Sequence, residues 1–265
     1  HDEVMRGIRT AMDEVKPDAW LVAENGDFVA SDLNGFGWHG AMNYQGFMRP
    51  LWNWINQNSS IGGGFQGLPF EMPKIGGKSL VASMVQFSSS IPWRSLVASM
   101  VLLDSHDTAR MRTVVNGDKK AHFSAVTAML TYPGVPSIFA GDEIGLEGSW
   151  GEDSRRTINW EDRSGWDHEF LAEVKKLVHL RRNHDGLIEG GLRWVAVEDN
   201  FICYLRESEK QSLLVFISRK AVRTEIDLAD YGYKVSKTLY GPEATGGSIK
   251  IDAEYATQGI WEVKG

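Results

Sequence analysis

The stretch VLLDSHDTAR, Val101–Arg110, decides the fold: an apolar run ends in the pair His106-Asp107. A short continuous apolar run is the mark of a strand covered on both faces. Upstream, AWLVAENGDF, Ala19–Phe28, repeats the design and delivers Glu24. Two buried strands, each presenting a carboxylate at its C-terminal end, are how a (β/α)8 barrel builds a catalytic face.

Working outward, apolar residues at Val4, Ile8, Met12 and Val15 predict a helix that Pro17 stops. GWHGAMNY, Gly37–Tyr44, holds a strand candidate around Ala41–Tyr44, and VPSIFAG, Val135–Gly141, is a further strand ending at Asp142-Glu143. Helices are expected over 122–130 and from Asp167 to about Arg182, the second stopped by Asn183 to Gly186. The hexapeptide SLVASM occurs at Ser79–Met84 and Ser95–Met100 and reads as two short helical stretches broken by SSSIPW. Strand candidates therefore lie near Leu21, Met42, Leu102 and Ile138, half of what a closed barrel needs. Past Gly190 the texture changes. RWVAVED, FICYLRE, SLLVFIS, TEIDL, KVSKTLYG, GSIKIDA and GIWEVKG are short β-type runs between turn residues, the pattern of a small antiparallel β-sandwich or barrel. The division expected is 1–186 for the strand–helix part and 187–265 for the all-β part.

The chain has 265 residues, 28 basic and 35 acidic, with a formal net charge of -7 and no long basic run. That balance disfavours nucleic acid or an anionic membrane as the main partner. No apolar run reaches the length of a membrane span, and no signal peptide opens the sequence, so a cytoplasmic protein is expected. The single cysteine, Cys203, reads as a buried strand residue. GGGFQG, Gly62–Gly67, formally matches G-x-G-x-x-G, but a polar stretch precedes it and prolines follow it, so a loop is expected.

Each candidate site residue has a plainer reading. Glu24 suits a general acid, or a solvated loop carboxylate. Asp107 suits stabilisation of an oxocarbenium-like transition state, or capping of a helix starting at Thr108. His106 has no second ligand at metal-binding spacing beside it in the sequence, which argues against a metal. GEDSRRTINW, Gly151–Trp160, puts Asp153, Arg155, Arg156 and Trp160 together, a sugar-binding set or a surface ion-pair loop. Of the aromatics Trp38, Tyr44, Trp52, Trp54, Trp93 and Trp150, most are expected in the core.

Taken together, WLVAEN, LLDSHDTAR and YPGVPSIFAGDEIGLEGSWGEDSRRTINW resemble the fifth-strand, seventh-strand and eighth-strand motifs of glycoside hydrolase family 13, the α-amylase family. The style is nearest to bacterial glucosidases and maltodextrin-acting enzymes. The resemblance implies strands 5–8 of the TIM barrel followed by the family's β-sandwich. It also implies Glu24 as acid/base, Asp107 as transition-state stabiliser and His106 as a partner of sugar hydroxyls. Asp153 and Arg155 fall near the family's Asp and Arg that hold the neighbouring sugar, although Gly151 stands where many members carry Asp.

The family's nucleophile lies in a G-x-R-x-D motif at the fourth strand, and no such motif occurs here. Neither Asp27 nor Asp104 is placed to substitute. An inverting pair of Glu24 and Asp107 would need about 6.5–9.5 Å between carboxyls. The first four strands and the inserted loop domain that usually carries the family's calcium are also unmatched, so no metal and no cofactor are expected. The expectation is a fragment of a retaining α-glycosidase acting on an α-glucan or α-glucoside, inactive alone and self-associating through its open sheet. The rivals are a transglycosylating or phosphorolytic member, a non-catalytic scaffold relative, and a sugar-binding module made of the β tail.

Overall fold

A computed structural model describes residues 2–26, 29–33, 35–56, 72–149 and 151–265. Asp27, the glycine-rich stretch Gly62–Gly67 and Trp150 lie outside the described residues. The order is α1 (Asp2–Val15), β1 (Val22–Ala23), β2 (Gly40–Ala41), α2 (Arg49–Ile55), α3 (Gly77–Ser89), α4 (Trp93–Val97), β3 (Met100–Leu102), α5 (Met111–Val114), α6 (Lys119–Thr131), β4 (Val135–Ser137), α7 (His168–Arg182) and α8 (Asp185–Ile188). Then come β5 (Gly191–Glu198), β6 (Phe201–Glu207), β7 (Ser212–Ser218), β8 (Val222–Asp227), β9 (Lys234–Tyr240), β10 (Ser248–Ala253) and β11 (Gln258–Lys264).

The first four strands run parallel in chain order. β1 pairs with β2, β3 pairs with β4, and a parallel bridge between Met42 and Met100 joins the two pairs. Gly40 is required here, because a Cβ on it would lie 2.3 Å from the Ala98 carbonyl oxygen. Every expected strand position is therefore occupied, although each strand is only two or three residues long. Asp118 starts α6 by accepting the amides of Lys120 and Ala121, and Asp167 starts α7 by accepting that of Phe170.

Three local expectations need correction. The second SLVASM copy is not helical throughout: Ser95–Val97 end α4, and Met100 opens β3. The switch is made by Ser99, whose hydroxyl donates to the Ser95 carbonyl and accepts the Ala41 amide, turning the chain from helix into sheet. Asn183 does end α7, but Asp185 and Gly186 begin a further short helix. In α1, Met5 is the buried residue and Arg9 reaches the Gly37 carbonyl, whereas Val4, Ile8 and Val15 are 65%, 46% and 88% exposed. The apolar stripe read from the sequence points outward.

The antiparallel part holds all the expected strands. Its main sheet has the order β5-β6-β7-β11-β9, and β8 and β10 form a separate antiparallel ribbon. Side-chain alternation along a strand explains why FICYLRE is apolar on both faces. Ile202 and Tyr204 join the core shared with the helices, while Phe201, Cys203 and Leu205 join a second core with Ile226, Ile249, Ile251 and Trp261.

Buried arginines tie the two parts together through carbonyls. Arg206 on β6 donates to the carbonyls of Thr131, Gly190 and Gly191. Arg219 donates to those of Trp54 and Ile75, at 2.6 and 2.7 Å. No helix among the described residues is long and apolar enough to cross a membrane.

Candidate active site

The C-terminal ends of the parallel strands converge. Ala23 is buried at the end of β1, and the next residue, Glu24, emerges exposed. Beyond β3, Leu103, Asp104 and Ser105 stay buried before His106 and Asp107 surface. The turn that carries them is closed locally: the Ser105 amide donates to the Thr108 hydroxyl at 2.9 Å, and the Asp107 amide donates to the Ser105 hydroxyl at 3.2 Å. Asp107 caps no helix, since α5 begins only at Met111 after Arg110. The capping alternative for Asp107 is thereby removed.

One ligand-type atom from each of Glu24, His106 and Asp107 lies within 4.8 Å of the other two. That closeness, taken between nearest oxygens, leans away from an inverting pair, which leaves room for a water between carboxyls about 6.5–9.5 Å apart. His106 Nε2 is 3.4 Å from Asp107 Oδ1. Arg155 clamps the pair from the 3-10 turn Gly151–Arg155, its Nη2 donating to Asp107 Oδ1 at 3.0 Å and its Nε to the His106 carbonyl at 3.0 Å. The separations in the cluster alone would admit a cation. At Asp107, however, the positive charge is already supplied by Arg155.

Asp153 faces elsewhere. It accepts the Ser149 amide and hydroxyl and the Arg156 guanidinium, which together hold its carboxyl down at about 2. The structure thus brings Glu24, His106, Asp107 and Arg155 together and turns Asp153 to its own loop. Asp104, set aside as a nucleophile from the sequence, is buried and accepts the Met111 amide at 2.6 Å, so it cannot approach a substrate.

Sequence reasoning placed Tyr44 among the core aromatics. It is buried, yet its hydroxyl donates to Ser105 at 2.9 Å, directly beneath the His106-Asp107 turn. Burial pushes its phenol up; the Ser105 bond opposes this, and the charges of Asp107 and Glu24 add to it. The available signal was position: Tyr44 stands three residues past β2, on the same end of the parallel strands as Glu24 after β1.

A cavity of about 500 Å³ opens beside the cluster, lined by His106, Arg155, Arg156, Phe139 and the exposed Trp160. A larger one, about 980 Å³, lies between the start of α7 and the β10–β11 turn and contains none of the converging groups. Site chemistry requires convergent polar groups as well as volume, so the smaller cavity is the relevant one.

The family description "Alpha amylase, catalytic domain" matches residues 1–163. The chain belongs to the α-amylase family. Among curated relatives, this α-amylase-family chain is 31% identical over 216 residues to a cyclomaltodextrinase of a Bacillus species, covering 80% of this chain and 36% of the relative. It is 28% identical over 226 residues to an intracellular maltogenic amylase of Bacillus subtilis, covering 84% of this chain and 36% of that one. The chain spans about a third of the length of these relatives. Among solved structures, a debranching enzyme from Nostoc punctiforme superposes with a TM-score of 0.85 at 22% identity, covering 97% of this chain and 54% of that chain. That likeness establishes the fold: a TIM-barrel architecture of the family with an antiparallel sheet at the C-terminus.

Proposed function

We propose that this chain carries the acid/base half of a retaining α-glycosidase that cleaves α-glucosidic bonds in maltooligosaccharides or related α-glucans. In this reading residues 1–186 are strands 5–8 of the (β/α)8 barrel and 187–265 are the β-sandwich. The convergence of Glu24, His106 and Asp107 at parallel-strand ends carries it. The glucan-acting names of the relatives support the substrate class. The same reading makes the protein cytoplasmic, supported by the word intracellular in the name of the Bacillus subtilis relative.

Glu24 protonates the glycosidic oxygen as the C1–O bond breaks, while a carboxylate from sequence outside this chain attacks C1 and forms a glycosyl ester. Glu24, now ionised, takes a proton from the water that then releases the sugar. Asp107 stands against the developing positive charge, fixed by Arg155, and His106 donates to a sugar hydroxyl. Asp153, turned to its own loop, acts on the neighbouring unit through Arg156, which it holds beside Trp160. A sugar in place of water as acceptor would make the same machinery a transferase.

The test compares this chain with a longer one extended upstream, on a chromogenic α-glucoside and α-maltoside. Activity is expected only in the longer protein, with E24Q lowering it about 10²–10⁴-fold. Activity in the 265-residue chain that E24Q abolishes would overturn the assignment and make Asp107 the attacking carboxylate, a role its closeness to Glu24 permits.

A further inference from the structure

Behind the cluster, two acidic side chains lie buried against each other. Asp104, two residues past β3, and Asp142, five residues past β4 at the start of the 3-10 turn Asp142–Ile144, are each 3% exposed, and Arg110, bonded to Asp142, is 1% exposed. Arg110 Nη1 donates to Asp142 Oδ1 at 3.0 Å, its Nη2 to the Ala140 carbonyl at 3.0 Å and its Nε to the Ser154 carbonyl at 2.8 Å. Asp104 Oδ2 accepts the Met111 amide. Its other oxygen, Oδ1, is buried and receives no N–H or O–H from any other described group. The Asp104 carboxyl neighbours that of Asp142, so that each acts on the other's charge.

Two ionised carboxylates are acceptors only and cannot bond to each other. With both ionised, one guanidinium would face two like charges in a site without water. A single proton resolves both problems: it fills the orphaned oxygen and brings the trio to neutrality. We propose that Asp104 and Asp142 hold one proton between them and, with Arg110, act as positioning residues for the loop that presents His106 and Asp107.

The connections to that loop are short. Asp104 holds Met111, so the pair closes the loop 104–111 at both ends. Through Arg110 it fixes Ser154, whose hydroxyl donates to the His106 carbonyl at 3.3 Å, beside the bond from Arg155 to the same oxygen. Desolvation raises both carboxyls, as a retained proton requires. Among the described residues, the charged or titratable groups facing the pair are Arg110 and the un-ionised phenol of Tyr44. That these residues serve catalysis rests on the proposed glycosidase reading; the shared proton does not.

The experiment is thermal and urea denaturation of the chain and its D104N variant across about pH 4 to 8. Folded protein keeps a proton that the unfolded chain releases above its ordinary value near 3.8, so the pair's contribution to wild-type stability should fall as pH rises through this range, read as the difference from D104N, in which the histidine contributions cancel. The side-chain amide introduced by D104N supplies a permanent N–H to Asp142, and its oxygen still accepts from Met111. Relative to the wild type this variant should therefore gain up to about tenfold in the folding equilibrium per pH unit. The double variant D104N/D142N, which strips Arg110 of its counter-charge, should lose about a hundredfold or more relative to either single variant.

Positioning is read from the Arg155 Nε–H resonance, protected by the His106 carbonyl. It should persist in D104N and disappear in D104A. A pH-independent difference between D104N and wild type would overturn the shared proton. An unchanged Arg155 signal in D104A would overturn the positioning role. Should D104A not fold, D142A supplies the same comparison from the other side of the pair. None of these readouts needs turnover, so failure of the glycosidase reading would leave them standing.

Discussion

The parallel-strand part and the antiparallel part of the molecule are built on opposite plans. In the first, strands of two or three residues serve mainly as posts whose ends carry Glu24, Asp107 and Asp142. In the second, strands of six to eight residues form a five-stranded sheet and a two-stranded ribbon with an apolar core of their own, and their ionisable groups meet in exposed pairs such as Arg193–Glu207. Chemistry sits on the part with the least sheet of its own. The helices that pack around the short strands are in turn tied to the antiparallel sheet, Arg206 holding the end of α6 at Thr131 and Arg219 holding α2 at Trp54. The site therefore depends on a region that contributes no residue to it.

That dependence is tested most severely at Arg206. It is fully buried with no carboxylate partner, and burial lowers it only to about 10, so it is charged at neutral pH. Replacing it with methionine keeps much of the volume but leaves the carbonyls of Thr131, Gly190 and Gly191 without their donor. We expect a loss of about 2–4 kcal/mol in urea denaturation, at about 1–3 kcal/mol per buried group left unsatisfied and less what water recovers. Protection of amides in α6 should fall along with that in β6. Loss confined to the antiparallel sheet would break the comparison and make the two parts independent.

Much of this was legible in the sequence, and the reasons are physical. The runs before Glu24 and His106 show in the sequence because they end buried at Ala23 and over Val101–Leu103, whereas β4 shows although Val135 and Ile138 are exposed, and the antiparallel strands show through turn spacing. Glu24, His106 and Asp107 show because a charged residue ending a buried run has few structural excuses. Arg206, Arg219 and Arg110 do not show, because their partners are carbonyls and loop carboxylates distant in sequence. The SLVASM repeat misled because identical local preference gives way to the pairing of Met100 with Val135 and Met42. The stripe on α1 misled in another way: periodicity establishes a helix, but not which face meets the core.

A smaller effect separates the two parts by pH. No histidine occurs after His184, so any imidazole-linked acid sensitivity belongs to the parallel-strand part. His122 on α6 is fully buried against Phe170, ring centroids 4.4 Å apart, and its Nδ1 accepts from Arg112 Nε at 3.0 Å. Burial first, and then the Arg112 charge, hold its imidazole well below the ordinary 6.5. The folded state keeps it neutral while the unfolded chain takes up a proton. Its contribution is therefore complete above about pH 6.5 and is lost as pH falls toward the depressed folded value. Between about pH 6.5 and 5.5 the wild type should lose up to about 1.4 kcal/mol through this residue. H122Q, whose amide oxygen still accepts from Arg112, should lose clearly less. His39 leaves a smaller slope of the same sign. Equal pH profiles for H122Q and wild type would show that the imidazole is not held neutral.

The smallest effect on stability is expected at α1, where the contrast between the two parts is sharpest. The antiparallel part leaves Tyr255 as its one strongly exposed large apolar side chain, whereas α1 presents Val4, Ile8 and Val15 to solvent, and β1 has β2 as its only strand partner among the described residues. A double change of Ile8 and Val15 to lysine removes little native burial, so the folding free energy should stay within about 0.5 kcal/mol. Association is another matter. An apolar helix face next to an open strand edge is the arrangement by which copies of a chain pair. The unaltered chain should therefore sediment with an average mass that rises with concentration, and the lysine variant should remain closer to monomer. If both sediment as monomers at every concentration, the exposed face of α1 is not an association surface. If the variant instead loses several kcal/mol, α1 is packed through those residues in solution and the outward-facing stripe is wrong.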